Sequence, residues 1–244
     1  MLKIDIKTEV DKYKNVIDNL ISQALTLNTY ELKMSCLFSI LDSFAQESAI
    51  YTRDKKEPEK FSDFILSNQH SWSFLSKVDP VTLYYRIADK LPLTNYLDFL
   101  KEGGYYNVDN SASQNAVEKI LSDAKKIGVD EERITVLRTQ HQFARLLHQM
   151  RNKISHELSS PSYAPSSEEA YHNIPYYTNV TRSYYSNDIR NDDKVWELFI
   201  PVSFIRDLIK ECSNSYFSTC LEENKIPFAN NTFNRKCKLS WYDK

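Results

Sequence analysis

The sequence predicts an all-α fold with one irregular insertion, and three observations lead there. Only 3 of the 244 residues are Gly, whereas an all-β fold of this size needs many glycine-rich turns. Apolar residues recur at i, i+3, i+4 over most of the chain, the spacing of helices with one buried face. The 16 Tyr and 12 Phe supply bulk for a substantial core. We expect a single domain over residues 1–244, with an insertion at 159–195 before the last long helix and a basic tail at 224–244.

Taken in order, residues 8–26 carry Val10, Tyr13, Ile17, Leu20 and Ile21 at helical spacing. Residues 29–50 follow as a second helix, apolar on nearly every side, with Asp42 its only charge between Lys33 and Glu47. Such a helix is expected at the centre of the core, with Cys36 as a small core residue. A shorter helix is expected over Phe61–Lys77, with His70 packed beside Trp72. Asp79-Pro80 reads as a cap followed by proline in the first helical turn. It opens a helix through Leu83, Ile87 and Leu91, and Leu93–Leu100 continues as a short helix before Gly103-Gly104. Tyr105–Ser113 reads as loop and Asn115–Ile127 as an amphipathic helix stopped by Gly128. From Asp130 a single long helix is expected to run to about Leu158.

After Leu158 the composition turns to Ser, Asn and Pro, with Tyr163, Tyr171, Tyr176, Tyr177, Tyr184 and Tyr185. This is the insertion, with room for a small β-hairpin and a strand over Val195–Ile200. Its tyrosines suit either stacking on unpaired bases or packing as a lid. Pro201 opens the last helix. The tail brings Lys225, Arg235, Lys236 and Lys238.

The formal net charge of −2 argues against a polycation and leaves only local basic patches. The N-terminus interleaves charges and has no apolar run that would make a signal peptide or a membrane span, so a cytoplasmic protein is expected. The four Cys form no CxxC pair, and neither a metal nor a cofactor is expected. Walker, GxGxxG, HExxH and GxSxG motifs are absent, which sets aside the common nucleotide-binding, zinc-protease and hydrolase readings.

One stretch departs from the average charge. From Ile134 to His156 there is no acid, while Arg138, Arg145, Arg151, Lys153, His141, His148 and His156 all fall there. At about 100° per residue, Phe143, Leu146, Leu147, Met150 and Ile154 share one helix face. His141, Arg145, His148, Gln149, Asn152 and His156 fall opposite, and Arg151 lies on the flank. The alternative reading is a plain solvated face, yet such faces usually mix in Glu for i, i+4 pairing. We expect the strip to take an anion, RNA first. A two-fold dimer placing two strips face to face would turn each surface into a cleft.

Arg151-Asn152-x-x-x-His156 resembles the R-x(4–6)-H signature of the HEPN superfamily, often written RNxxxH. The apolar run Leu37-Phe-Ser-Ile-Leu-Asp-Ser-Phe-Ala45 also resembles the buried second helix of that family. The resemblance covers residues 8–160 and the last helix, and leaves out the insertion. It implies a HEPN-like helical bundle and a metal-independent endoribonuclease, of the toxin–antitoxin or antiviral-defence kind, acting as a homodimer with a composite active site and with an antitoxin or regulatory partner. It implies Arg151, Asn152 and His156 as catalytic residues. Asp42 is expected to orient Arg151 or His156, or else to pair structurally. Arg145, His148 and Lys153 are expected to extend the RNA-binding track. The alternative is a non-catalytic HEPN-like module that binds RNA or protein, and a weaker one is an interaction protein that uses the Tyr-rich insertion.

Overall fold

In the computed structural model the chain is all-α with one inserted β-hairpin. The structure describes residues 5–48, 56–92, 96–100, 106–108, 111–157, 173–186 and 189–228. Among them no helix is long and apolar enough to cross a membrane. The chain divides into two compact units: Met1–His70 with Ile205–Lys244, and Ser71–Phe204. The first unit is thus built from both ends of the chain, because the last helix returns to the N-terminal ones.

The first unit holds α1 (Ile6–Leu25), α2 (Tyr30–Ser48), α3 (Glu57–Asn68) and most of α8 (Val202–Glu222). Asp5 starts α1 by accepting the Lys7 N–H and the Thr8 hydroxyl, which satisfies donors that a helix N-terminus leaves open. Phe44 of α2 sits at the centre. It stacks on Phe64 at 5.8 Å and meets Phe217 edge-on at 5.6 Å. Each such pair adds about 0.5–1.5 kcal/mol beyond its buried area. The expectation that α2 is buried all round needs correction: Leu32 and Cys36 are exposed. The polar side of α2 is made of serines, and Ser39 and Ser43 donate to the carbonyls one turn back. A serine side of this kind carries no charge, so a charge count misses it. Helix α3 begins at Glu57, ahead of the expected Phe61, because Pro58 fits a first helical turn. His70 is exposed rather than packed, and its backbone N–H donates to Glu211.

The second unit holds α4 (Pro80–Ile87), α5 (Ser111–Lys126), α6 (Glu131–Gln140), α7 (Phe143–Glu157) and a small antiparallel sheet. Leu83, Val117, Ile120, Leu121, Ile134 and Leu137 form its apolar centre, contributed by α4, α5 and α6. Gly128 follows α5 with φ +92°, and the Val129 N–H reaches back to the Ala124 carbonyl. This left-handed stop needs a residue without a Cβ.

The sheet has the order β1 (Tyr106–Asn107), β2 (Tyr176–Ser186), β3 (Ile189–Phe199). The hairpin pairs Tyr176 with Phe199 at its base and Ser186 with Ile189 at its tip. The strand expected at Val195–Ile200 is therefore the second half of a longer one. β1 replaces part of the expected Tyr105–Ser113 loop, being too short for alternation to show. Tyr176 and Tyr177 are 2% and 1% exposed, so these two tyrosines pack and do not offer rings to bases. Of the expected 93–100 helix, residues 96–100 form a turn and 93–95 lie outside the described residues. Residue 158, residues 159–172 of the insertion and 229–244 of the basic tail also lie outside them.

Candidate functional site

The long helix expected from Asp130 to Leu158 is two helices. α6 ends at Gln140 and α7 begins at Phe143. No Gly or Pro marks the break, because its cause lies elsewhere in the chain. The segment Lys77–Asp79 runs antiparallel to it, with Val78 opposite Gln142. The Asp79 N–H donates to the His141 carbonyl at 2.8 Å, and the Phe143 N–H donates to the Lys77 carbonyl at 3.1 Å. Helical hydrogen bonds are exchanged there for two strand-like ones, which give these backbone groups partners.

A buried polar chain lies at this junction. Asp79 has no exposed surface and caps α4, accepting the Thr82 N–H at 2.9 Å and the Val81 N–H at 3.4 Å. The Thr82 side chain also hydrogen-bonds to Asp79, and its Oγ1 lies 3.1 Å from His141 Nδ1. A hydroxyl that donates to the carboxylate is left to accept from the imidazole, which places the His141 proton on Nδ1. Burial pushes the Asp79 carboxyl up to about 6, against the hydrogen bonds that lower it. Burial, then the charges of Arg86 and Arg133, push His141 down to about 4. His141 is therefore neutral at pH 7 and enclosed, which corrects its expected place on an exposed strip.

On α7 the apolar face is the expected one: Phe143, Leu146, Leu147, Met150 and Ile154 are all buried. Phe143 meets Phe74 edge-on at 5.4 Å. Burial continues around one flank, however, through Ala144 at 0% and His148 at 3% exposure. The open side is narrower than the wheel suggests and carries Gln149 and Lys153. His148 is thus no surface contact for RNA, which corrects that expectation. Its Nδ1 lies 3.5 Å from the Asn152 side-chain amide, one turn on. Arg151 Nη1 donates to Asn152 Oδ1 at 2.7 Å. Three side chains of the expected site are thereby linked: Arg151 to Asn152 to His148.

Of the remaining expected residues, Arg151, Asn152 and Arg145 are half-buried and Lys153 is exposed. His156 lies in the last turn of α7, four residues beyond Asn152, and its side chain lies outside the described residues. Asp42 is half-buried on α2, in the first unit, whereas Arg151 belongs to the second. Arg138 does not add to a basic surface, because it forms a two-pronged pair with Glu118 of α5 at 2.9 and 2.8 Å. That pair holds Glu118 below the usual carboxylate range.

The Cys212 thiol is pushed up to about 12 by burial, so it supplies no thiolate at neutral pH. Among the described residues no group of three or more His, Cys, Asp or Glu is arranged to hold a metal ion. Asp79 was legible only as a helix cap; nothing in the sequence pairs Thr82 beside it with a histidine 59 positions away. Compared with family models, curated proteins and solved structures, the chain finds no match.

Proposed function

We propose that the chain is a metal-independent endoribonuclease of the HEPN type, a toxin or antiphage effector that works as a homodimer. The observation that carries this reading is the linked pair on the C-terminal half of α7, Arg151 Nη1 donating to Asn152 Oδ1 at 2.7 Å, with His156 one turn further along the same helix. The cation and the proton-transfer group thereby share one rigid element, and the run from Ile134 to His156 holds no carboxylate to repel a phosphate.

In this reading His156 takes the proton of a ribose 2′-OH as the 2′ oxygen attacks the adjacent phosphorus. The bond to the 5′ oxygen breaks, that oxygen takes up a proton from water, and the products are a 2′,3′-cyclic phosphate and a 5′-OH. Arg151 donates to the phosphate oxygens as charge builds on them, and Asn152 holds the guanidinium in place. A second copy of the chain completes the cleft, because one α7 offers a surface. Lys153 and Arg145 lie along the same helix to attract the backbone.

Purified protein should cleave a panel of structured and single-stranded RNAs in the presence of EDTA. His156→Ala and Arg151→Ala should each lose about 10²–10⁴-fold in rate. Equal cleavage by wild type and His156→Ala sinks the proposal, as does activity that EDTA abolishes and added metal restores. RNA retention without cleavage assigns the alternative, a non-catalytic binding module.

A further inference from the structure

The two contacts of the Asn152 side chain take their direction from what each partner can donate or accept. Arginine has donors and no acceptor. The Asn152 atom facing Arg151 Nη1 at 2.7 Å is therefore the carbonyl oxygen, which fixes the orientation of the amide. The other end of the amide, Nδ2, faces His148 Nδ1 at 3.5 Å. An amide nitrogen only donates, so His148 Nδ1 must accept and the imidazole proton sits on Nε2. His148 is 3% exposed, so water does not readily take its place at Nδ2. Turning the amide over would set Nδ2 against the guanidinium, donor to donor. The histidine thus holds the amide, and the amide holds the arginine.

We propose that His148 is the positioning residue of this site: its Nδ1 accepts from Asn152 and so keeps Asn152 Oδ1 aimed at the Arg151 guanidinium. His148 itself touches no substrate. The residue exposes almost nothing, and the Asn152 amide against its Nδ1 is one helical turn on. Its mirror case is His141, which bears its proton on the opposite nitrogen because its neighbour there is an acceptor. The proposal rests on the ribonuclease reading for its catalytic meaning, while its hydrogen-bond content stands apart from that reading.

Two measurements decide it. Long-range nitrogen–proton NMR of the imidazole in the full-length protein should show His148 neutral with the proton on Nε2. Guanidinium rotation at Arg151 should be slow in wild type and faster in His148→Leu and in Asn152→Ala. A proton on Nδ1, or unchanged rotation in His148→Leu, overturns the proposal whether or not the protein cleaves RNA. Where it does cleave, His148→Leu should lose about tenfold or more in kcat with KM little changed, and His148→Gln, whose side-chain oxygen again accepts, should return to within about threefold of wild type. If His148→Leu and His148→Gln lose activity only in step with their melting temperatures, the role is structural and the proposal fails. Wild type no faster than His156→Ala fails the ribonuclease reading alone, and the two NMR results still judge His148.

Discussion

His141 and His148 stand seven positions apart, both are buried, and both bond through Nδ1, yet they are built in different ways. The partner of His148 is four residues on, along the same helix. The partner of His141 is Thr82, 59 residues away, with Asp79 behind it. One contact follows from helix geometry, since i and i+4 side chains are neighbours on any α-helix. The other exists only because the segment Lys77–Asp79 docks at the α6–α7 break. His141 is tied to a distant segment of the fold, and His148 to the side chain of Asn152 on its own helix. A basic, histidine-rich stretch is thus two different things, divided at Gln142.

The largest expected effect that sharpens this contrast is in the pH dependence of stability. The His141 value is pushed down from 6.5 to about 4, so between those values the unfolded chain binds a proton that the folded chain does not. Stability contributed by neutral His141 is present above about 6.5 and is lost as pH falls towards 4, by up to about 3 kcal/mol. The Asp79 value is raised from 3.8 to about 6, so the folded chain binds the extra proton there and stability is gained as pH falls through that window. In wild type the two effects oppose each other between about pH 6 and 4. His141→Gln removes one of them, so its stability relative to wild type should rise as the pH is lowered from 6.5 to 4 in urea titrations. A constant difference across that range would remove His141 from the account.

A smaller effect is expected at the other end of the chain of bonds. Asp79→Ala deprives α4 of its cap and leaves the Val81 and Thr82 N–H groups without their acceptor, for a loss of about 1–2 kcal/mol at pH 7. The relief of a buried carboxylate offsets part of the cost, so a measured gain in stability would mean that desolvation outweighs capping. The smallest effect is at Arg138. Its pair with Glu118 is mostly solvent-exposed, and Glu118→Ala should shift stability by no more than about 1 kcal/mol. A larger loss, measured the same way, would make the α5–α6 ion pair a structural element in its own right.

Much of the helical skeleton was readable because it depends on local spacing. The apolar face of α7 came out residue by residue, from Phe143 to Ile154. So did the cap at Asp79-Pro80, the stop at Gly128, and the last helix after Pro201. The Arg151–Asn152 link was not readable, since adjacent side chains on a helix point about 100° apart and do not ordinarily face each other. What else could not be read depends on partners distant in the sequence. The α6–α7 break carries no helix-breaking residue, since its alternative hydrogen bonds come from Lys77 and Asp79. The burial of His148 was hidden because a wheel shows which residues share a side and not how far around the helix its neighbours reach. The burial of Tyr176 and Tyr177 was hidden in the same way, behind a composition typical of loops.

By itself, then, the sequence determined the helices, their buried stripes and the order Arg151, Asn152, His156 along one of them, because all of these are set by a repeat of 3.6 residues and by capping chemistry. The tertiary structure alone decided where the long helix divides, which histidines are enclosed, and which nitrogen of each carries the proton. Those depend on desolvation and on donor–acceptor matching between groups that only folding brings together.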